Sequence, residues 1–168
     1  EALSIAKQLQ QENPDAALGY QLEGRVHLSQ YRPADALNAL ETAYSKQKDS
    51  QILLQLAQAY VSADRRADAI KLLEDWMTEH PEDQSATSLL AMYYQAAGRD
   101  GEATKAYESL LQNNSENVLV LNNLAWLYQK QGDSRAVETA KRAYDLSPQR
   151  PEVADTYGWV LLQSGEVQ

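Results

Sequence analysis

Two tryptophans, Trp126 and Trp159, stand 33 residues apart, and three side-chain amides, Asn122, Asn123 and Gln129, cluster around the first of them. An indole offers a large apolar face with one N–H donor, and a carboxamide offers both donors and an acceptor. Together they suit the backbone of an extended peptide or the hydroxyls of a sugar. The plainer alternative is that the indoles fill gaps between neighbouring helices while the amides are merely solvated. Residue types for catalysis are not assembled. The chain has no Cys, and its only imidazoles, His27 and His80, lie 53 residues apart without a supporting ligand set, so both read as structural. No glycine-rich phosphate loop or nucleophile elbow occurs. Carboxylates such as Glu102, Glu108 and Glu138 are expected on solvated helix faces. The expectation is therefore a non-enzymatic chain without catalytic residues, metal or cofactor.

Composition narrows the partners. Across 168 residues, 15 Lys and Arg face 24 Asp and Glu, a formal charge of −9, with 43% hydrophobic residues. This is the chemistry of a soluble globular chain. Nucleic acid and anionic membrane surfaces, which need clustered cations, are not expected partners. The longest apolar stretch, Val118 to Tyr128, is broken by Asn122 and Asn123 and falls short of the roughly 20 residues of a membrane helix. The opening Glu1-Ala2-Leu3-Ser4-Ile5-Ala6-Lys7 reads as the middle of a helix, with no signal pattern, so the chain is expected to be a fragment of a longer polypeptide. Localisation is not legible from it.

A period organises the chain. Small residues fall at Gly24, Ala57, Ala91, Ala125 and Gly158, separated by 33, 34, 34 and 33 positions. A second small column is Ala2, Ala36, Ala69, Ala103 and Ala136, separated by 34, 33, 34 and 33. Three residues after the first column come His27, Tyr60, Tyr94, Tyr128 and Leu161. Four after the second come Ala6, Leu40, Leu73, Tyr107 and Ala140. Within each period, large apolar residues recur at three- and four-residue intervals in two blocks, which is the period of helices. Each period is thus a helical hairpin, closed by breakers such as Gly98-Arg99-Asp100 and Gly132-Asp133. Pro14, Pro81 and Pro148 follow the second blocks. Pro33 suits a first helical turn and Asp133 an N-cap. The small columns are expected where helices approach closely and a Gly or Ala leaves the hole that Tyr, Leu or Trp fills.

Leu90-Ala91-x-x-Tyr94, Gly98, Ala103, Tyr107 and Leu110 resemble the tetratricopeptide repeat, and Leu124-Ala125-x-x-Tyr128, Gly132, Ala136 and Pro148 resemble its next copy. The resemblance implies an all-α, right-handed superhelical solenoid of antiparallel helix pairs. It implies one array, with a lone second helix at 1–13, full repeats at 17–49, 50–83, 84–117 and 118–150, and a lone first helix at 151–165. The first repeat departs most, with Glu23 where Leu is usual, His27 in the tyrosine column and Tyr31 where Gly is common. The stretch from Asn122 to Tyr128, continued by Pro151-Glu152-Val153 and Thr156 to Leu162, is similar to the closing repeats of bacterial tetratricopeptide proteins of exosortase/PEP-CTERM exopolysaccharide systems. That likeness implies a cell-envelope or periplasmic setting, with the cytoplasm as alternative.

In such a solenoid the first helix of each pair lines a concave groove. Arg25, Gln58, Met92, Trp126 and Trp159 should project into it, with Gln21, Leu54, Ser88, Asn122 and Asp155 one turn earlier. The residues expected to hold a partner are Gln55, Gln58, Met92, Asn122, Asn123, Trp126, Gln129 and Trp159. Only Arg25 is cationic among the groove positions, so the Lys/Arg clamp that related domains use on terminal carboxylates is not expected. The predicted role is a noncatalytic scaffold for a partner peptide or helix. The alternatives are exopolysaccharide binding through the tryptophans, or service as the substrate-selecting arm of an enzyme in flanking sequence. Uncovered terminal helix faces would also favour end-to-end contacts between copies, as an artefact of truncation.

Overall fold

The computed structural model describes residues 1–165. Among them are ten helices: α1 (Ala2–Glu12), α2 (Ala17–Ser29), α3 (Pro33–Lys46), α4 (Ser50–Ser62), α5 (Arg66–Glu79), α6 (Gln84–Ala96), α7 (Asp100–Asn113), α8 (Val118–Gln131), α9 (Ala136–Leu146) and α10 (Pro151–Ser164). The chain is all-helical and its helices pack pairwise. It forms two compact units, Glu1–Tyr93 and the segment from Tyr94 onward, with the division inside α6.

The helix ends follow from local chemistry that repeats. Asp49 Oδ1 accepts from the Ile52 N–H at 2.9 Å, Asp83 Oδ1 from the Ala86 N–H at 3.0 Å and Asn117 Oδ1 from the Val120 N–H at 3.2 Å. Each satisfies a backbone donor that the first turn of α4, α6 or α8 would otherwise leave open. Pro33 and Pro151 open α3 and α10, where a missing N–H is harmless. Asp133 behaves otherwise than expected. Helix α9 begins at Ala136 without a side-chain cap, and Asp133 instead accepts from the Arg135 N–H and its guanidinium. The Ala136 N–H that opens the helix is met at 3.1 Å by the Asp133 backbone carbonyl, and the side chain is taken up by Arg135 one residue earlier.

In unit one, α1 through α4 each pack on the next and α4 packs on α5, while α2 also touches α4. Ala36, Leu37, Leu40, Leu56 and Ala59 form its core, with Tyr60, Tyr44 and Leu28 against them. The helices come close where the small residues predict. A Cβ at Gly24 would run into Leu40, with Cδ2 at 2.8 Å, and one at Gly19 would meet the Gln10 backbone N at 2.9 Å. In unit two, α7 to α10 pack in sequence and α8 also meets α10, around a cluster of Leu121, Ala143 and Val153. Ala57, Ala91 and Ala125 are wholly buried, as are Ala36, Ala69 and Ala103. Two members of the small columns depart from this. Ala2 is exposed, and Gly158 is exposed with nothing within 4 Å of where a Cβ would stand, because no described helix covers either face.

Candidate functional site

The tryptophans of α8 and α10 lie in unit two. Trp126 follows the buried Ala125 and Trp159 follows the exposed Gly158, and both indoles remain partly exposed. Their ring centroids are 6.2 Å apart with planes 24° from parallel, a stacked pair. That spacing is too short to admit a third ring between them. The third tryptophan, Trp76, contrasts with both. It is buried, donates its indole N–H to Asp83 at 3.0 Å and packs on His80 at 3.9 Å between centroids.

The amides around Trp126 separate into different roles. Asn123 Nδ2 donates to the Tyr107 hydroxyl at 3.1 Å, and that hydroxyl donates to Gln95 Oε1 at 3.4 Å, so Asn123 is tied to the scaffold. Burial pushes the Tyr107 hydroxyl pKa upward, against the Asn123 hydrogen bond, and keeps it a donor. Asn122 Oδ1 is buried without a hydrogen-bond partner, and Gln129 is partly exposed. Exposed Leu162 adds apolar surface on α10.

Sequence reasoning passed over Lys130. Its Nζ lies 5.1 Å over the Trp126 ring and 2.6 Å from Asp100 Oδ2 at the start of α7. The signal was present in the four-residue spacing from Trp126, which places the ammonium one turn on and directs it back over the ring. Trp126 is therefore already faced by a neighbouring indole and a cation.

The other expected residues lie in unit one. Gln55 is partly buried with Oε1 unpartnered, and Met92 is 51% exposed. Gln58 borders a cavity of about 420 Å³ together with Leu28, Tyr31, Arg32 and Pro33.

Glu108 corrects the expectation of a simply solvated carboxylate. It accepts from the Tyr128 hydroxyl at 2.7 Å and pairs with Arg135 at 2.8 Å, while the Arg135 guanidinium lies 4.1 Å from the Tyr128 ring centroid. Burial and then the Glu108 hydrogen bond drive the Tyr128 pKa far above the ordinary phenol range. The same device occurs in unit one, where the Tyr60 hydroxyl donates to Glu41 at 2.8 Å and Arg65 covers its ring. There, burial and Glu41 push Tyr60 up to about 12. Both tyrosines are structural clasps between consecutive helices. Among the described residues, no group of three or more His, Asp or Glu converges as a metal site.

Such pairwise-packed hairpins define a helical-repeat protein, and the comparisons specify the kind of repeat. A family model described as tetratricopeptide repeat matches residues 27–93. Among solved structures, a MamA AMB-1 crystal structure is 22% identical with a TM-score of 0.73, covering 89% of this chain and 82% of that one. A second MamA crystal structure is 16% identical with a TM-score of 0.77, over 89% of this chain and 82% of that one. YrrB, described as a TPR protein with an unusual peptide-binding site, is 16% identical with a TM-score of 0.76, over 93% of this chain and 81% of its own. No curated protein matches. The fold is thus that of tetratricopeptide repeats, and at these identities the structural likeness speaks to fold.

Proposed function

We propose that this chain is a noncatalytic protein-binding scaffold, an array of repeats at 17–49, 50–83, 84–117 and 118–150 flanked by single helices. Its principal contact in unit two is the Trp126–Trp159 pair. The observation that carries this reading is that two stacked indoles keep surface in water beside Gln129 and Leu162, where the third tryptophan is buried and bonded. Aromatic anchors of this kind dominate the energetics of protein contacts. A peptide segment would lay apolar side chains along the indole edges and direct backbone groups to Gln129. YrrB, with its peptide-binding site, supports the class of ligand by analogy of fold. Gln55, Gln58 and Met92 are the corresponding contacts proposed for unit one.

Carbohydrate is the second reading, favoured by indoles beside amides. A sugar stacks on an open ring face, and the Trp126 ring already has Trp159 and Lys130 against it, which leaves Trp159 alone for such stacking. An envelope or exopolysaccharide setting rests only on the resemblance of the closing segments.

Selection from a random peptide-display library tests the proposal. Wild type should enrich a peptide family whose binding falls at least roughly ten-fold in Trp159→Ala, consistent with anchor losses of about 2 kcal/mol. The Trp126→Phe/Trp159→Phe variant, which preserves packing, should show an intermediate loss while its thermal melt stays near wild type. Enrichment unaffected by these changes, or glycan-array binding without peptide binding, would overturn it.

A further inference from the structure

Corresponding positions on α8 and α10 carry opposite arrangements of charge around the same residue. On α8, the position four before Trp126 is neutral Asn122, and the position four after it is Lys130, whose ammonium faces the ring at 5.1 Å. On α10, the position four before Trp159 is Asp155, and the position four after it is neutral Gln163. Both helices extend through these positions, so each set shares one helix face. Side chains on a helix lean toward its N-terminus, which brings residue 163 back over Trp159 and Trp159 toward Asp155.

Trp126 thus has a cation from its own chain, and Trp159 does not. Among the described residues, no Lys or Arg faces the Trp159 ring. Helix α10 carries two carboxylates and no Lys or Arg. Of the two, Glu152 is paired with Arg150 at 2.6 Å, whereas exposed Asp155 has no ion pair among the described residues. An indole attracts a cation through its negative ring face, and an adjacent carboxylate adds Coulomb attraction. The chain as a whole carries −9.

We infer that the α10 half of the tryptophan pair recognises an arginine-bearing peptide segment, whose guanidinium occupies over Trp159 the place that Lys130 takes over Trp126 and pairs with Asp155. Arginine suits the position better than lysine, because its planar group stacks on an indole while its N–H groups reach the carboxylate. This inference rests on the proposed peptide-binding role and adds the identity of the anchoring residue.

The same random peptide library separates the two. It is selected on wild type, on Gln163→Lys, which supplies a cation from the chain itself, and on Asp155→Asn. Both positions are exposed, so melts and circular dichroism should match wild type. Wild type should enrich arginine at one position, and replacing that arginine by glutamine in a synthetic selected peptide should weaken binding roughly ten-fold by fluorescence anisotropy. Gln163→Lys should abolish the arginine preference, and Asp155→Asn should reduce it. Tryptophan-dependent peptides with no arginine preference, or a preference unchanged in Gln163→Lys, would overturn the inference while leaving peptide binding intact. Absence of any tryptophan-dependent peptide would defeat both.

Discussion

Single residues of the first hairpin depart from the pattern of their columns, and each departure has a local physical consequence. The left-handed backbone position after a first helix is Gly98, Gly132 or Gly165 in three connections, but Asp64 and Tyr31 in the other two, with φ of 60° and 55°. A bulky L-residue there is strained, and Tyr31 is 93% exposed, so packing does not offset the strain. Tyr31→Gly should therefore stabilise unit one by about 0.5–1 kcal/mol, read as a higher urea midpoint. Glu23 stands where the other repeats have an apolar residue. Burial disfavours its charge, but hydrogen bonds from Lys7 at 2.6 Å and Gln10 at 2.6 Å outweigh this and hold it below its ordinary 4.5. His27, in the same cluster, lies 3.5 Å from the same carboxylate. Because the folded pKa is lowered, this contribution to stability is complete above the unfolded value and is lost as pH falls through the folded one. Glu23→Gln should narrow the difference between denaturation midpoints at about pH 6 and about pH 3. An unchanged difference would remove Glu23 from the acid response.

At the scale of helices, the small columns act through what faces them. Gly24 abuts buried Leu40, so Gly24→Ala should cost about 1–3 kcal/mol by overpacking. Ala125→Leu should cost a similar amount, since Ala125 is wholly buried between its neighbours. Gly158 belongs to the same column by sequence but has open space where a Cβ would go. Gly158→Ala should instead stabilise by up to about 1 kcal/mol, because glycine in a helix interior carries excess unfolded-state entropy. Thermal melts of the three variants test the placement, and equal effects at Gly24 and Gly158 would contradict it. The clasps Tyr60–Glu41 and Tyr128–Glu108 belong to this scale too. They give two of the tyrosines three residues past the small column, Tyr60 and Tyr128, a structural role, since each hydroxyl reaches a carboxylate of the preceding helix.

For the whole molecule, a charge of −9 opposes acidic partners, and the described residues include no helix long and apolar enough to cross a membrane. Acidic C-terminal peptides should bind weakly or not at all in calorimetry, and a micromolar dissociation constant would contradict this. The ten-helix pattern, the tight small-residue contacts and the pairwise packing were legible in the sequence, because helical periodicity and close approach constrain residues only a few turns or one repeat apart. Tertiary structure alone decided what each surface position does. It placed Trp76 in the core and Trp159 at its margin, joined Asn123 to Tyr107 and Lys130 to Asp100, recruited Glu108 into a clasp and left Gly158 uncovered. The physical reason is that equivalent positions in a repeat share backbone geometry but not neighbours, and burial, pairing and exposure depend on the neighbour that packs against each residue.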